Sequence, residues 1–397
     1  MKILTLSTYP TLVPRHGGQH RLVNIVRLLR EAGHKVTSVG VLGSELYEAQ
    51  PGFVPYPDPG HFKKYISSYS LMDDWALGQL FAKDNTFYHS LASQITDIPD
   101  VIHVEQPWLF EFAVRYRSES ASKHLKIIYG SQNIENFLKF DILKIYMGVS
   151  DAKLNQQLVL ACELYALENA DTVICVSDHD RRWCNSRTKV PTVLAQNGVR
   201  DSVYELGGLV EASKIAGNKK SALFCASAHP PNIAGFFDIF GNGLGCLSPD
   251  DQIVIAGSAS DSIFNDARFA KTPGLSAACV GAGVVSEACL SGLLHNAHVI
   301  ILPITQGGGT NLKTAEALWA GRHVVATEKA MRGFEHFGGF KGVSVQATPQ
   351  GFCEALRDAM ASKPITLTSI EKDQRRSVLW EETLQQYVEN LAQWEAD

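Results

Sequence analysis

Residues Val299–Thr327, VIILPITQGGGTNLKTAEALWAGRHVVAT, decide the fold. Val299–Leu302 is a short apolar run of the kind buried strands show. Pro303 follows, and then the triplet Gly307-Gly308-Gly309. Thr310 is a good N-cap for a helix over residues 311–320, and Gly321 is a good terminator. His323–Thr327 reads as the next buried strand. Strand, glycine loop, helix and strand form the repeating half-turn of a parallel α/β sheet. A loop without side chains lets a ligand approach the backbone. The free N–H groups at the helix start favour an anion, most often phosphate.

The helix carries the chemistry. At about 100° per residue, Leu312, Ala315 and Trp319 share one side, while Lys313 and Glu316 share another. A cation beside the loop meets a phosphate as a point charge. A carboxylate one turn deeper can accept hydrogen bonds from a sugar diol. The competing reading is a surface Lys–Glu pair worth a few tenths of a kcal/mol. Three consecutive glycines need a reason that such a pair does not supply.

The pattern P-x-x-x-GGGT-x-x-K-x-x-E-A-x-x-x-G-x-x-V-V-A-T resembles the sugar-nucleotide signature of retaining family-4 glycosyltransferases with the GT-B fold. Their usual form has two glutamates in an E-x7-E spacing. Glu316 matches the second, which in the family binds the donor ribose; the first would fall on Gly308 and is absent. The resemblance implies an α/β GT-B protein with two Rossmann-like domains facing an interdomain cleft. Residues 1–203 would be the acceptor domain, with a C-terminal helix over 376–397 crossing back to it. Residues 218–375 would be the nucleotide-sugar donor domain. The implied activity is transfer of a hexose, with retention, from a nucleoside-diphosphate sugar such as UDP-glucose. The implied acceptor is a glycan or lipid-linked glycan of polysaccharide or cell-envelope biosynthesis. A sugar-nucleotide epimerase of the same fold, or a non-catalytic sugar-nucleotide binder, is the alternative, the latter suggested by the missing glutamate.

Composition agrees with this class. The chain has 397 residues, too many for one ordinary core, is 45% hydrophobic and 19% charged, and carries a net charge of −5. That balance argues against nucleic acid as the main partner. The eight cysteines are scattered, without C-x-x-C or zinc-type spacing, as suits a reducing cytoplasm. No Asp-x-Asp lies in a suitable loop, so neither a metal nor another cofactor is expected. MKILTLSTYP reads as a strand rather than a signal peptide, and no apolar run approaches the roughly 20 residues of a membrane span.

Taken in order, the chain opens with a strand over Met1–Ser7, a polar loop, a helix from about His20 to Ala32 and a strand over Lys35–Val41. Gly17 and Gly18 stand just before that helix; in the family such a pair lets the loop approach donor diphosphate and acceptor. Residues 45–95 suggest one or two amphipathic helices anchored by Tyr65, Tyr69, Leu71, Trp75 and Leu77. Lys63-Lys64 among these aromatics is the candidate for peripheral contact with the inner membrane surface, against plain core packing. Asp100–Val104 is another strand, with Glu105 at the end where parallel sheets place ligands. Glu105, Asn133 and Glu135 are the acceptor and cleft candidates, and Glu105 joins Lys313 and His229 as a candidate for the chemistry.

A helix is expected over Asp151–Asn169, then strands at Thr172–Val176 and Thr192–Ala195, and an irregular linker over 200–219. SALFCASAHPPNIAGF opens the second half, with Asn232 expected to cap a helix. His229 stands where family members carry an arginine for the diphosphate. With no arginine in that segment, the resemblance shifts this duty to Lys313, backbone amides and His229. The turn Gly283, Val284, Val285 is implied to pair with the base edge. Gly307, Gly308, Gly309, Thr310, Asn311 and Leu312, with Lys313 and Glu316, complete the expected donor site. The tail reads as a helix with Trp380, Leu384, Tyr387, Leu391 and Trp394 at three- and four-residue steps.

Overall fold

The computed structural model describes the chain except residues 63, 64, 66–69, 121–123, 202–204 and 397. Lys63-Lys64 and Tyr69 therefore lie outside the described residues. The chain divides into two compact units, Met1–Gln196 with Thr383–Asp397, and Asn197–Glu382.

The first unit is built on a seven-stranded sheet. Its strands are β1 (Lys2–Ser7), β2 (Lys35–Val41), β3 (Phe53–Val54), β4 (Val101–Glu105), β5 (Lys126–Ser131), β6 (Thr172–Cys175) and β7 (Thr192–Leu194). They run in the order β3-β2-β1-β4-β5-β6-β7, every neighbour parallel. Both central strands, β1 beyond Lys2 and β4 throughout, are buried. Helices on both faces are what make such strands read as unbroken apolar runs. Leu4, Leu6, Ile102, Val104 and Ile127 share one core with Leu77, Leu80 and Phe81 of helix Asp73–Lys83. The strand order reverses between β1 and β4, so their C-terminal ends form the switch point where ligands of such sheets bind.

One helical span runs over Glu135–Asn169, longer than expected, and it is broken at Gly148, where φ is 78° and ψ 168°. Only glycine adopts that conformation without strain, so the break folds the span into two arms. Glu163 of the second arm accepts the backbone N–H of Glu135 at 2.7 Å and of Asn136 at 3.0 Å, capping the first arm. That cap is a tertiary contact, which the local pattern does not show.

The second unit carries β8 (Lys220–Cys225), β9 (Asp251–Ala256), β10 (Cys279–Gly283), β11 (Val299–Leu302), β12 (His323–Thr327) and β13 (Val343–Gln346). Their order is β10-β9-β8-β11-β12-β13, again all parallel, with the switch point between β8 and β11. Phe224, Ile255, Val299 and Ile301 face one core, and Leu223, Val254, Ile300 and Leu302 face the other. Alternate residues thus fill two apolar layers.

The expected linker over 200–219 instead contains a helix, Leu206–Ala216. Its glycines are packing surfaces. A Cβ on Gly208 would stand 2.1 Å from the Ala288 carbonyl, and one on Gly292 would stand 2.4 Å from the Gly208 carbonyl. The two helices, Leu206–Ala216 and Glu287–Asn296, approach that closely only without side chains there. The tail is also segmented, into Ser369–Gln374, Trp380–Thr383 and Gln385–Ala396. Val199 bridges Leu379 in parallel where the chain enters and leaves the second unit. The last helix then belongs to the first unit, with Tyr387 and Leu391 buried.

Candidate functional site

The triglycine loop leaves β11 at the switch point of the second sheet. Gly307 and Gly309 have φ of 105° and 60°, values that L side chains rarely adopt. The helix after it spans Leu312–Ala320 and is capped by Asn311 rather than by Thr310, without a side-chain cap bond. Thr310 is held instead through its carbonyl, which accepts Asn197 Nδ2 at 3.2 Å. Thr310 Oγ1 and Asn311 Nδ2 are buried polar atoms without a hydrogen-bond partner among the described residues. The backbone N–H groups of Gly308, Gly309 and Thr310 make no hydrogen bond among the described residues either. Buried polar atoms without partners are rare, and Thr310 Oγ1 and Asn311 Nδ2, beside three amides without protein partners and an uncapped helix start, form an anion cradle.

Lys313 and Glu316 are half-buried on the following helix. Among the described residues neither side chain makes a hydrogen bond or ion pair, so they are not a mutually satisfied surface pair. Burial pushes the Glu316 carboxyl up, opposed by Lys313. Burial pulls the Lys313 ammonium down, opposed by Cys225 and Glu316. Cys225, at the end of β8, is itself pushed up to about 12 by burial and by Glu316. The adjoining ends of β8 and β11 thus bring Cys225, Lys313 and Glu316 into one electrostatic cluster.

His229 joins that cluster. Partial desolvation and the neighbouring Lys313 ammonium hold its imidazole below its ordinary value. It is therefore a neutral donor rather than a substitute cation. Asn232 does not cap its helix; His229 holds the cap position of Pro230–Phe240. Asn232 is buried, and its Nδ2 donates to the Ser227 carbonyl at 2.9 Å, tying the loop to the helix. The turn Gly283–Val285 follows β10 at the same end of the sheet, with Val284 exposed.

At the switch point of the first unit, Gly17 and Gly18 begin the helix Gly17–Glu31 rather than preceding it. A Cβ on Gly18 would stand 2.8 Å from Gln132 Oε1. That glycine is therefore needed for packing over a buried polar network. Glu105 is the centre of the network and is 1% exposed, so it is not a surface group of this unit. Arg21 Nε donates to Glu105 Oε1 at 3.0 Å and Gln132 Nε2 at 2.7 Å. His103 Nε2 lies 2.5 Å from Oε2. A carboxylate only accepts, so Nε2 carries the proton, and His103 Nδ1 accepts from the Tyr387 hydroxyl at 2.8 Å. Burial pushes the Glu105 carboxyl up, but Arg21, His103 and Gln132 outweigh it and hold it below its ordinary value.

Glu135 is also buried. Its Oε1 accepts from Asn133 Nδ2 at 3.1 Å and from Gln106 Nε2 at 3.4 Å. Burial raises its carboxyl to about 7. Gln106, straight after β4, has φ of 67° and is the one non-glycine residue at positive φ among the described residues. Such strain costs about 1–3 kcal/mol and collects at functional sites.

Residues 15–203 match the family described as Glycosyltransferase Family 4. The matched segment is a little under half of the chain and lies almost wholly in the first unit. No curated protein matches. Among solved structures, a sucrose-phosphate synthase from Thermosynechococcus elongatus is similar over 100% of this chain and 99% of its own, at 14% identity and a TM-score of 0.63. Anabaena HepE in complex with UDP covers 99% of this chain and 100% of its own, at 13% identity and a TM-score of 0.63. The same protein in complex with UDP-glucose gives 14% identity, the same coverage and a TM-score of 0.61. These likenesses show the fold: two Rossmann-like parallel sheets, as in GT-B glycosyltransferases.

Two residues of the second-unit site escape the sequence reading. Asn197, just past the strand expected over Thr192–Ala195, anchors Thr310 as described. Arg332, in the turn after β12, donates through all three guanidinium nitrogens to the carbonyls of Gly307, Gly308 and Gly309. Its place just past the C-terminal end of a strand beside β11 is the signal that could have found it.

Proposed function

We propose that the chain is a retaining family-4 glycosyltransferase that takes its sugar from a nucleoside-diphosphate sugar, a UDP-sugar by analogy with HepE. The observation that carries this reading is the row of partnerless amides at the switch point of the second sheet, with Lys313 and Glu316 unpaired one turn beyond. In this reading the amides of Gly308, Gly309 and Thr310 and the Lys313 ammonium hold the diphosphate. They stabilise the negative charge that grows as the sugar leaves. Thr310 Oγ1 and Asn311 Nδ2 find their partners on the same phosphates. Glu316 accepts the ribose hydroxyls, and the Gly283–Val285 turn meets the base, with exposed Val284 against its face. His229 donates one neutral hydrogen bond beside the diphosphate.

The acceptor, a glycan or lipid-linked glycan of envelope or polysaccharide biosynthesis, is assigned to the switch point of the first sheet. There Gln106, Asn133 and Glu135 form a hydrogen-bonded set around a strained backbone. Glu105 acts from below, as the buried anion that fixes Arg21, His103 and Gln132. Positive potential on the leaving group comes from the chain itself, so transfer is expected without a divalent cation. Among the described residues no helix is long and apolar enough to cross a membrane.

The test is incubation with radiolabelled UDP-glucose, with and without candidate acceptors. Transfer, or slow hydrolysis with retention, is expected. Epimerised sugar, or binding without turnover, would overturn the transferase reading.

A further inference from the structure

We propose that Arg332 is a positioning residue that shapes the triglycine loop into its anion cradle, an inference that rests on the donor-site reading above. Its Nε donates to the Gly309 carbonyl at 2.9 Å, its Nη2 to the Gly308 carbonyl at 2.8 Å, and its Nη1 to the Gly307 carbonyl. No peptide bond is cis among the described residues. In a planar trans peptide the carbonyl of one residue and the N–H of the next point in opposite directions. Drawing three consecutive carbonyls onto one guanidinium therefore sends the N–H groups of Gly308, Gly309 and Thr310 to the other side. Those are the three amides that lack partners among the described residues.

The loop needs such a tether. Glycines populate positive and negative φ about equally, so a triglycine segment left alone samples many shapes in which its amides diverge. The tether is itself held firm. Thr327 Oγ1, at the end of β12, donates to the Ile304 carbonyl, and buried Thr314 Oγ1 donates to the Ala330 carbonyl at 2.6 Å. The turn that bears Arg332 is thus pinned both to the start of the glycine loop and to the helix that follows it. Three carbonyls in a row require the planar fork of arginine; a lysine offers one nitrogen. Arg332 acts through the loop, from the side opposite the amides.

Calorimetry with UDP and with uridine, on native protein, Arg332→Ala and Arg332→Lys, tests this. Hydrogen exchange of the ligand-free 305–312 peptide provides a second readout. The Ala variant should raise the Kd for UDP by about tenfold or more, and leave that for uridine, which lacks phosphates, within about twofold, since hydrogen bonds to charged groups are the ones lost. The Lys variant should resemble Ala, the loop should exchange faster in both, and added guanidinium should partly restore UDP binding to Arg332→Ala. A Lys variant that binds UDP like the native protein would show that a point charge suffices and overturn the proposal. So would an Ala variant with native exchange in the loop. If native protein binds no UDP, the donor-site reading fails, and the exchange measurement still decides the clamp.

Discussion

Glu105→Gln separates a structural from a catalytic role for the buried carboxylate at the end of β4. Glu105 and Arg21 have side chains 0% and 1% exposed and stand 3.0 Å apart. His103 and Gln132 supply two further bonds to the same carboxylate. Glutamine keeps the size but removes the charge and turns an amide N–H₂ toward groups that are themselves donors. Breaking one partner of a buried ion pair costs about 3–5 kcal/mol, because the other charge stays in low dielectric. At an m-value of about 2 kcal/mol/M this lowers the urea midpoint by roughly 2 M. Denaturation, followed by exchange of the Val101–Glu105 peptide, measures the loss. UDP affinity, read by calorimetry, should be unchanged, since the nucleotide is assigned to the other unit. The double variant Arg21→Met, Glu105→Met should be more stable than either single change. A Glu105→Gln protein as stable as the native one, yet unable to transfer sugar, would refute the structural role.

Lys313→Ala should weaken UDP by about 1.5–3 kcal/mol, the scale of a hydrogen bond to a charged group; native affinity in calorimetry would reject the assignment. Glu316→Gln should weaken UDP itself, and less than Glu316→Ala does. Normal UDP binding without transfer would move Glu316 from ribose recognition into the chemistry. Because burial raises the Glu316 carboxyl, UDP affinity should begin to fall, as pH is lowered, at a higher pH than for an ordinary carboxylate. Transfer should survive EDTA, and activity lost to EDTA and restored by manganese would overturn the charge scheme. Glu135, raised from 4.5 to about 7, favours its protonated form in the folded state. Its contribution to stability should therefore be fully present below pH 4.5, fade between 4.5 and about 7, and then level off, by roughly 3 kcal/mol at 1.36 per pH unit. Glu135→Gln should flatten that slope in denaturation at a series of pH values.

Much of the fold is legible because its causes are local. Each central strand has both faces covered, so Val299–Leu302 shows as an unbroken apolar run. Pro349 and the Thr348 side chain, which accepts the Gly351 N–H, delimit the helix Pro349–Ala361 from within its own first turn. The errors arise where a distant partner decides. The glycines of 206–216 look like a linker until Ala288 is seen against Gly208. The first arm of the Glu135–Asn169 span depends on Glu163, which is 28 residues away. Glu105 looks like a ligand-facing residue at a strand end, but Arg21 reaches it from a helix and His103 and Tyr387 complete its shell. Lys313 and Glu316 are legible because three-residue spacing alone puts them together. Arg332 is not, since its contact with Gly307–Gly309 crosses a helix, a strand and a turn.

The bond between His103 and Tyr387 joins residues 284 apart in the chain. Lys126 sits 4.4 Å from the ring of Trp394 in the same way. On the ribosome, residues 1–196 emerge long before either aromatic partner exists, whereas the second unit is one uninterrupted segment. The unit made first is thus the one finished last: His103 waits through the synthesis of Asn197–Glu382 for its hydroxyl. A message cut short just after residue 382 would release a complete second unit attached to a first one whose buried imidazole lacks its partner, a ready substrate for proteolytic quality control.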